Sequence, residues 1–317
     1  DLETRPEHLL VLGGGPIGCE MAQAFRRLGS RVTLIEAEKQ FLAREDPDAA
    51  QILWENFQQD GIDVRLSTRL EAVEPGPDGL HRAILASGAA SDDLSFDRLL
   101  VAVGRAPNVE GLGLEEAGVE FDLQRGVHIS DTFQTTRPEI YAAGDVCMSL
   151  KFTHAADMAA RAVVQNALFA LGPLGQKKLS SLNIPRCTYT DPEIAHVGVS
   201  EQEAKNRGLN LDTFVRKLSD VDRALADGRN QGFVKIHVES GRDRILGATL
   251  VAPHAGDMIS EISVAMAAGM GLGELSNVIH PYPTWAEAIR QTGHAYMRTR
   301  LTARVAALAK RYLAWRR

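Results

Sequence analysis

Leu9-Leu10-Val11-Leu12-Gly13-Gly14-Gly15-Pro16-Ile17-Gly18 is an apolar run that breaks into a G-x-G-x-x-G loop, and Glu20-Met21-Ala22-Gln23-Ala24-Phe25 continues from it as a helix. Glycines at 13, 15 and 18 permit the tight turn, let backbone N–H groups approach a pyrophosphate, and let the helix pack closely on the strand. Pro16 and Ile17 fall inside this loop and belong to the same candidate nucleotide site. A second strand, Arg31-Val32-Thr33-Leu34-Ile35, ends in Glu36. An acid there can accept hydrogen bonds from the adenosine ribose hydroxyls, and it repels a 2′-phosphate, so NADH is expected in preference to NADPH. The plainer alternative is a glycine-rich loop before a surface helix, with an acid nearby by chance.

A second signature lies far downstream. Thr136-Arg137-Pro138-Glu139-Ile140-Tyr141-Ala142-Ala143-Gly144-Asp145 reads as a strand ending in a Gly-Asp turn. It cannot belong to the first pocket, so two cofactors are implied.

Between and beyond these signatures the chain divides in three. After Glu36, a polar stretch leads into a helix over 49–59, whose Ile52, Leu53 and Phe57 fit a 3.6-residue period. A strand over 62–66 follows, then two β-like runs, 70–74 and 80–86, joined by the turn Pro75-Gly76-Pro77-Asp78-Gly79. The run 96–104 is expected to close the unit as one buried strand. This gives a doubly wound domain over 1–103. Gly104-Arg105-Ala106-Pro107-Asn108 marks the next boundary, and 104–172 is too loop-rich for a sheet of its own. It carries an alanine-rich helix over 155–169 and is expected to complete a domain whose first half lies elsewhere. The third region, 184–317, is α+β, with a hairpin pairing 232–238 with 244–251 and a small-residue-rich helix over 258–270.

At 317 residues, two or three domains are expected. A net charge of −6 with no basic domain excludes nucleic acid as a general partner. The three cysteines, Cys19, Cys147 and Cys187, are far apart and form no C-x-x-C, so neither a disulfide scaffold nor a metal site is suggested. A reducing, cytoplasmic setting follows. No segment has the apolar length to cross a bilayer and no signal-peptide pattern opens the sequence. The first residue is Asp1, and Glu3-Thr4-Arg5-Pro6-Glu7 looks like a linker, so the sequence is expected to be the C-terminal part of a longer polypeptide.

The ordered set Gly13-x-Gly15-x-x-Gly18-x-Glu20, Gly104-Arg105-x-Pro107-Asn108, Tyr141-Ala142-x-Gly144-Asp145, Tyr189-Thr190-Asp191-Pro192-Glu193 and His280-Pro281-Tyr282-Pro283-Thr284 resembles the flavin-dependent pyridine nucleotide-disulfide oxidoreductases. Dihydrolipoamide dehydrogenase, glutathione reductase and mercuric reductase belong to that family. The likeness spans essentially the whole sequence and lacks only the family's N-terminal FAD-binding region with its redox-active C-x-x-x-x-C. It implies a homodimeric enzyme passing hydride from NADH to FAD and on to a disulfide and a small-molecule or disulfide acceptor, with 184–317 as the dimerisation domain. Without the disulfide, the sequence alone is expected to be inactive. The likeness also implies that Asp145 hydrogen-bonds a flavin ribityl hydroxyl, with Gly104, Arg105 and Gly144 beside it; an Asx turn capping the strand is the alternative. The helix opening at Thr153-His154-Ala155 would aim its positive dipole end at the flavin pyrimidine edge; an ordinary Thr N-cap is compatible with that. Glu20 matches a position close to nicotinamide and flavin.

At the C-terminal motif the sequence departs from dihydrolipoamide dehydrogenase and glutathione reductase. Where they carry His before Pro-Thr, paired with a Glu five residues on, this sequence has Tyr282 and keeps Glu287. A phenol with a pKa of about 10 is a poor base near neutrality, so the His-Glu dyad is in question and His280 is the reserve for proton transfer. Tyr at this place is similar to mercuric reductases and soluble transhydrogenases. A vicinal Cys-Cys end, the mark of mercuric reductase, is replaced by Ala314-Trp315-Arg316-Arg317, so mercury is not the expected substrate. The alternatives are a transhydrogenase-like flavoprotein without the disulfide and a non-catalytic NAD-binding dimer module. The tail 298–317 carries seven Lys or Arg, no acids, and Leu301, Val305, Leu308, Tyr312 and Leu313 at helical spacing. Such a helix packs on its own domain or a partner subunit, or makes weak contact with an anionic membrane surface.

Overall fold

The apolar run at the start of the sequence becomes β1 (His8–Leu12), an inner strand of a parallel sheet. The computed structural model describes residues 2–88 and 90–316. After the glycine loop come α1 (Pro16–Arg27) and β2 (Arg31–Ile35), then α2 (Pro47–Asp60) and β3 (Asp63–Arg65). Asp46 caps α2 by accepting the Asp48 N–H at 2.9 Å, and Gly61 ends it in the left-handed region.

An antiparallel meander follows, β4 (Arg69–Pro75), β5 (His81–Ser87) and β6 (Ala90–Phe96), and the chain returns through β7 (Arg98–Val101). The parallel sheet runs β3-β2-β1-β7. Leu9, Val11, Val32 and Leu34 meet Cys19, Ala22, Leu53 and Phe57 from the two helices; Leu10 and Ile35 meet Ala83, Leu85, Leu94 and Phe96 of the meander. Both faces are covered, and that is why β1 is continuously apolar rather than alternating. Burying a side chain such as Phe57 contributes about 1.5–3 kcal/mol.

Two expectations fail here. The expected strand 96–104 is two strands: Phe96 ends β6, and Asp97 turns the chain while its carboxylate accepts the Glu7 and His8 N–H groups, each at 2.9 Å. Nor is β7 buried. It is the last strand of its sheet, and Val101 is 60% exposed.

The chain divides into two compact units, Asp1–Val103 with Pro185–Arg317, and Gly104–Ile184. In the second, β8 (Phe121–Asp122) pairs with β9 (Gly126–Val127), and α3 (Thr153–Val164) follows. The strand expected over 136–143 does not form. Its backbone turns back instead, Ile140 N–H donating to Arg137 O, and only an isolated bridge joins Gln134 to Tyr141. Gly144 opens a single 3-10 turn at φ 82°. The helix expected to reach residue 169 stays α-helical to Val164 and finishes in a wider π turn, Gln165–Phe169.

The remaining elements rejoin the first unit: β10 (Arg186–Thr188), β11 (Glu193–Gly198), α4 (Glu201–Arg207), β12 (Leu211–Lys217), α5 (Asp222–Ala226), β13 (Phe233–Glu239), β14 (Ile245–Ala252), α6 (Ala255–Ala268), α7 (Leu272–Leu275), α8 (Glu287–Arg300) and α9 (Ala303–Trp315). The strands form one antiparallel sheet, ordered β10-β11-β14-β13-β12. Its core takes in α6, α7 and α8 through Ile259, Ile262, Leu272, Ala288 and Ile289. Ile194, Phe233 and Val251 of this sheet join Leu53 and Phe57 in the core beside β1, so the two stretches of the unit share buried surface. The basic tail is not one helix: α8 stops at Arg300, and α9 restarts after Thr302, whose hydroxyl accepts the Val305 N–H at 3.4 Å.

Candidate functional site

The glycine loop divides its labour. Gly13 sits at φ 104°, where a Cβ would lie 2.6 Å from the Ala102 carbonyl oxygen, and a Cβ on Gly18 would collide with the Gly13 carbonyl. These two glycines make the turn and the close approach possible. Gly15 is different, since nothing lies within 4 Å of the place its Cβ would take. Its open face sits at the start of α1, where Gly15 is the N-cap, Pro16 follows, no acid occupies the first turn, and Ile17 is exposed. A helix N-terminus with such a face can receive a pyrophosphate, so these residues fit a dinucleotide.

Glu36 is tied to that loop. Its Oε2 accepts the Gly14 N–H at 2.7 Å and its Oε1 accepts the Glu38 N–H at 2.9 Å. The carboxylate is thereby fixed at the end of β2 beside the glycines. Glu20, one turn into α1, accepts the Tyr189 N–H at 2.8 Å, so this side chain joins the first helix to the Tyr189-Thr190-Asp191-Pro192 segment. Gln23 strengthens the seam, accepting from Asp191 N–H at 2.7 Å and donating to Asp191 O at 2.9 Å.

In the Gly104–Ile184 unit, Arg105 Nη1 stands 3.7 Å from Asp145 Oδ2, both about half exposed, a pair worth up to about 1 kcal/mol. Gly104 and Gly144 both adopt positive φ, at 119° and 82°. A Cβ on Gly144 would lie 3.1 Å from that of Ala156, so glycine lets the Gly-Asp turn settle against the first turn of α3. Thr153 is not the cap of that helix: Phe152 is, without a side-chain cap bond. The Phe152 ring stacks on His154 at 5.3 Å, and Ala155 is buried. The turn and the helix start thus lie together.

At the C-terminal motif, Tyr282 is 69% exposed and its hydroxyl donates to Asp222 Oδ2 at 2.8 Å. That hydrogen bond, with the charge of Asp222 and a smaller contribution from Glu287, raises the phenol above its ordinary pKa. Here Tyr282 is a donor, not a base. Glu287 opens α8 and is buried; its Oε1 accepts from Arg290 at 2.6 Å, while Oε2 is buried with no partner among the described residues. His280 is half-buried, with its side chain only 6% exposed, and is held from both sides, Nε2 at 2.8 Å from Glu261 Oε1 and Nδ1 at 3.0 Å from Val278 O. Asp222 and Glu261 escaped the sequence reading. They lie 60 and 19 residues from their partners, outside any motif.

None of the three cysteines is activated. Burial raises all three thiols, Cys147 to about 11 and Cys19 and Cys187 well above the ordinary range. Among the described residues no cluster of three or more His, Cys, Asp or Glu could hold a metal ion, and no helix is long and apolar enough to cross a membrane.

A profile of the pyridine nucleotide-disulphide oxidoreductase family matches residues 1–160, and the dimerisation-domain profile of the same family matches 184–292. The sequence is 36% identical over 294 residues to a dihydrolipoyl dehydrogenase of Thermus scotoductus and 35% identical over 296 residues to a mercuric reductase of Streptomyces lividans. Those alignments cover 92% and 93% of this chain but 62% and 61% of the two relatives, so the chain spans about three-fifths of their length. Among solved structures, the HOCl-induced flavoprotein disulfide reductase RclA from Escherichia coli aligns with a TM-score of 0.82 and 29% identity, over 93% of this chain and 66% of that one.

Proposed function

Because this chain belongs to the pyridine nucleotide-disulphide oxidoreductase family, we propose that it is the nucleotide-binding and dimer-forming part of an NADH-dependent flavin disulfide oxidoreductase. The observation that carries the reading is the Gly13-to-Gly18 loop with its open face at Gly15 and Glu36 bound to its Gly14 N–H. When bound, the two cofactors supply the redox chemistry, dihydronicotinamide giving the hydride and flavin receiving it. The chain's own task is placement. Gly13, Gly15, Pro16, Ile17 and Gly18 hold the dinucleotide phosphates; Glu36 takes the ribose hydroxyls and turns away a 2′-phosphate, selecting NADH over NADPH. Gly104, Arg105, Gly144, Asp145 and the Thr153-His154-Ala155 helix start form this chain's share of the FAD site, and Glu20 belongs with the dinucleotide site, close to the nicotinamide.

The redox disulfide comes from residues outside this sequence, since burial keeps all three thiols here protonated. Residues 184–317 form the homodimer interface. Tyr282 and Glu287 serve the acceptor site, Tyr282 as a proton donor and Glu287 through its unpartnered Oε2, with His280 held in reserve by Glu261. The acceptor is a small molecule or a disulfide, and three free thiols suit a reducing, cytoplasmic setting.

The test is an absorption spectrum of the full-length protein purified natively, followed by anaerobic NADH or NADPH. Flavin bands that give way to a long-wavelength charge-transfer band, faster with NADH, are expected. Bleaching without that band would move the assignment to a transhydrogenase-like flavoprotein, and a colourless protein overturns the flavoenzyme reading.

A further inference from the structure

The last helix stands outside both the core and the candidate sites. α9 (Ala303–Trp315) has no buried residue, and it lies beyond residue 292, where the dimerisation-domain profile ends. Val305, Leu308, Tyr312 and Trp315 recur at intervals of 3, 4 and 3 and so share one face. All four are exposed, Leu308 at 67% and Trp315 at 81%, with Leu313 at 56% beside them. At about 100° per residue, Arg304 and Arg311 border one edge of this stripe, Arg316 adjoins its C-terminal end, and Lys310 lies on the far side. No acid occurs from Arg298 to Arg316. The aromatic pair Tyr312 and Trp315, with ring centroids 6.2 Å apart, lies toward the C-terminal end of the stripe.

We propose that α9 lies flat on an anionic phospholipid surface, its apolar stripe in the headgroup–acyl boundary and its basic side chains against lipid phosphates. Charge decides between this occupant and the α9 of a second copy of the chain. Two α9 helices brought face to face would set basic rows against each other with no acid on either to pair them. A bilayer carrying anionic lipid supplies the opposite sign, and long Arg side chains bordering an apolar stripe can keep their charge at the headgroups while the stem lies in the apolar layer. Tyr and Trp suit the same boundary, because each has an apolar body and one polar tip. The hinge at Leu301 and Thr302 separates this helix from α8, whose Ala288, Ile289 and Tyr296 are buried in the core, so membrane contact asks nothing of the fold.

The experiment is flotation of the full-length holoenzyme with vesicles of phosphatidylcholine alone and with about one-third phosphatidylserine at low salt. Binding to the anionic vesicles, weak binding to the neutral ones, and release by about 0.5 M salt are expected. The triple variant Arg304→Gln, Arg311→Gln, Arg316→Gln is expected to lower the partition by about 100-fold, at roughly fivefold per charge. Because none of these side chains is buried, the variant keeps the fold, checked by an unchanged unfolding midpoint. Failure to float with anionic vesicles overturns the proposal, as does equal binding to both vesicle types that the triple variant leaves intact. Concentration-dependent growth beyond a dimer, abolished by Leu308→Ser with no lipid binding, would assign the stripe to a second copy instead.

Discussion

Glu36 orders the glycine loop by accepting the Gly14 N–H, and under the proposed function the same carboxylate would set nucleotide choice by repelling a 2′-phosphate. Glu36→Ala in the full-length enzyme is expected to cut kcat/KM for NADH by about 10- to 100-fold, the worth of a charge-assisted hydrogen bond. NADPH activity should fall less or rise. Steady-state kinetics with both nucleotides checks this, and an unchanged NADH-to-NADPH ratio would remove Glu36 from the specificity argument. Tyr282→Phe separates structure from chemistry. The Asp222 bond is exposed, so its loss should shift stability by no more than about 0.5 kcal/mol, while turnover with the acceptor should drop if the hydroxyl donates a proton there. Thermal unfolding and acceptor kinetics on one preparation read both. The glycine turn between β1 and α1 was legible because a tight turn with a close backbone approach confines its residue types to a short stretch. Asp222 and Glu261 were not, because their partners reach them only after the chain has folded back.

Among the elements, β11 shows the pH dependence most sharply. His196 on β11 is 1% exposed; its Nδ1 lies 2.9 Å from Thr249 Oγ1 and its Nε2 lies 3.1 Å from Gly198 O. Burial, helped by the charge of Arg186, pushes its pKa down to about 4, and burial also lowers that of His237 on β13. An unfolded histidine takes its proton near pH 6.5, so His196 costs the fold nothing above that pH. As pH falls from about 6.5 to 4 the unfolded chain gains a proton that the folded chain refuses, and stability drops by about 3 kcal/mol in all. Urea midpoints for the wild type and His196→Gln should converge in slope only above that window; parallel profiles through it would refute the assignment. Between elements, Lys235 Nζ on β13 reaches Asp46 and Asp48 at 2.7 Å each, at the capped start of α2. Lys235→Met leaves the buried Asp46 carboxylate without its cation and is expected to cost about 3 kcal/mol, measured by chemical denaturation, with Asp46→Asn restoring part of it. The parallel strands and the β13–β14 hairpin could be read from apolar runs and turn residues. The misread stretches, 96–104 and 136–143, are places where a side chain or a local turn took the backbone bonds that a strand would have used.

At the scale of the whole molecule, residues 184–317 are expected to hold two copies together, and sedimentation equilibrium of the full-length protein should give twice the protomer mass; a single protomer mass would overturn that assignment. The breaks after Val103 and Ile184 fall beside turn clusters in the sequence. What could not be seen was that the flanking parts share a core, since apolar residues announce that they will be buried but not against what. Ile194, Phe233 and Val251 complete the cluster that Leu53 and Phe57 begin. A ribosome delivers Val251 about 190 residues after Phe57, which at roughly 5–20 residues per second is a delay on the order of 10–40 s. Throughout that interval the nascent nucleotide-binding half carries a greasy, unfinished flank, so its yield in the cell should depend on chaperone holding and on translation speed far more than its final stability suggests.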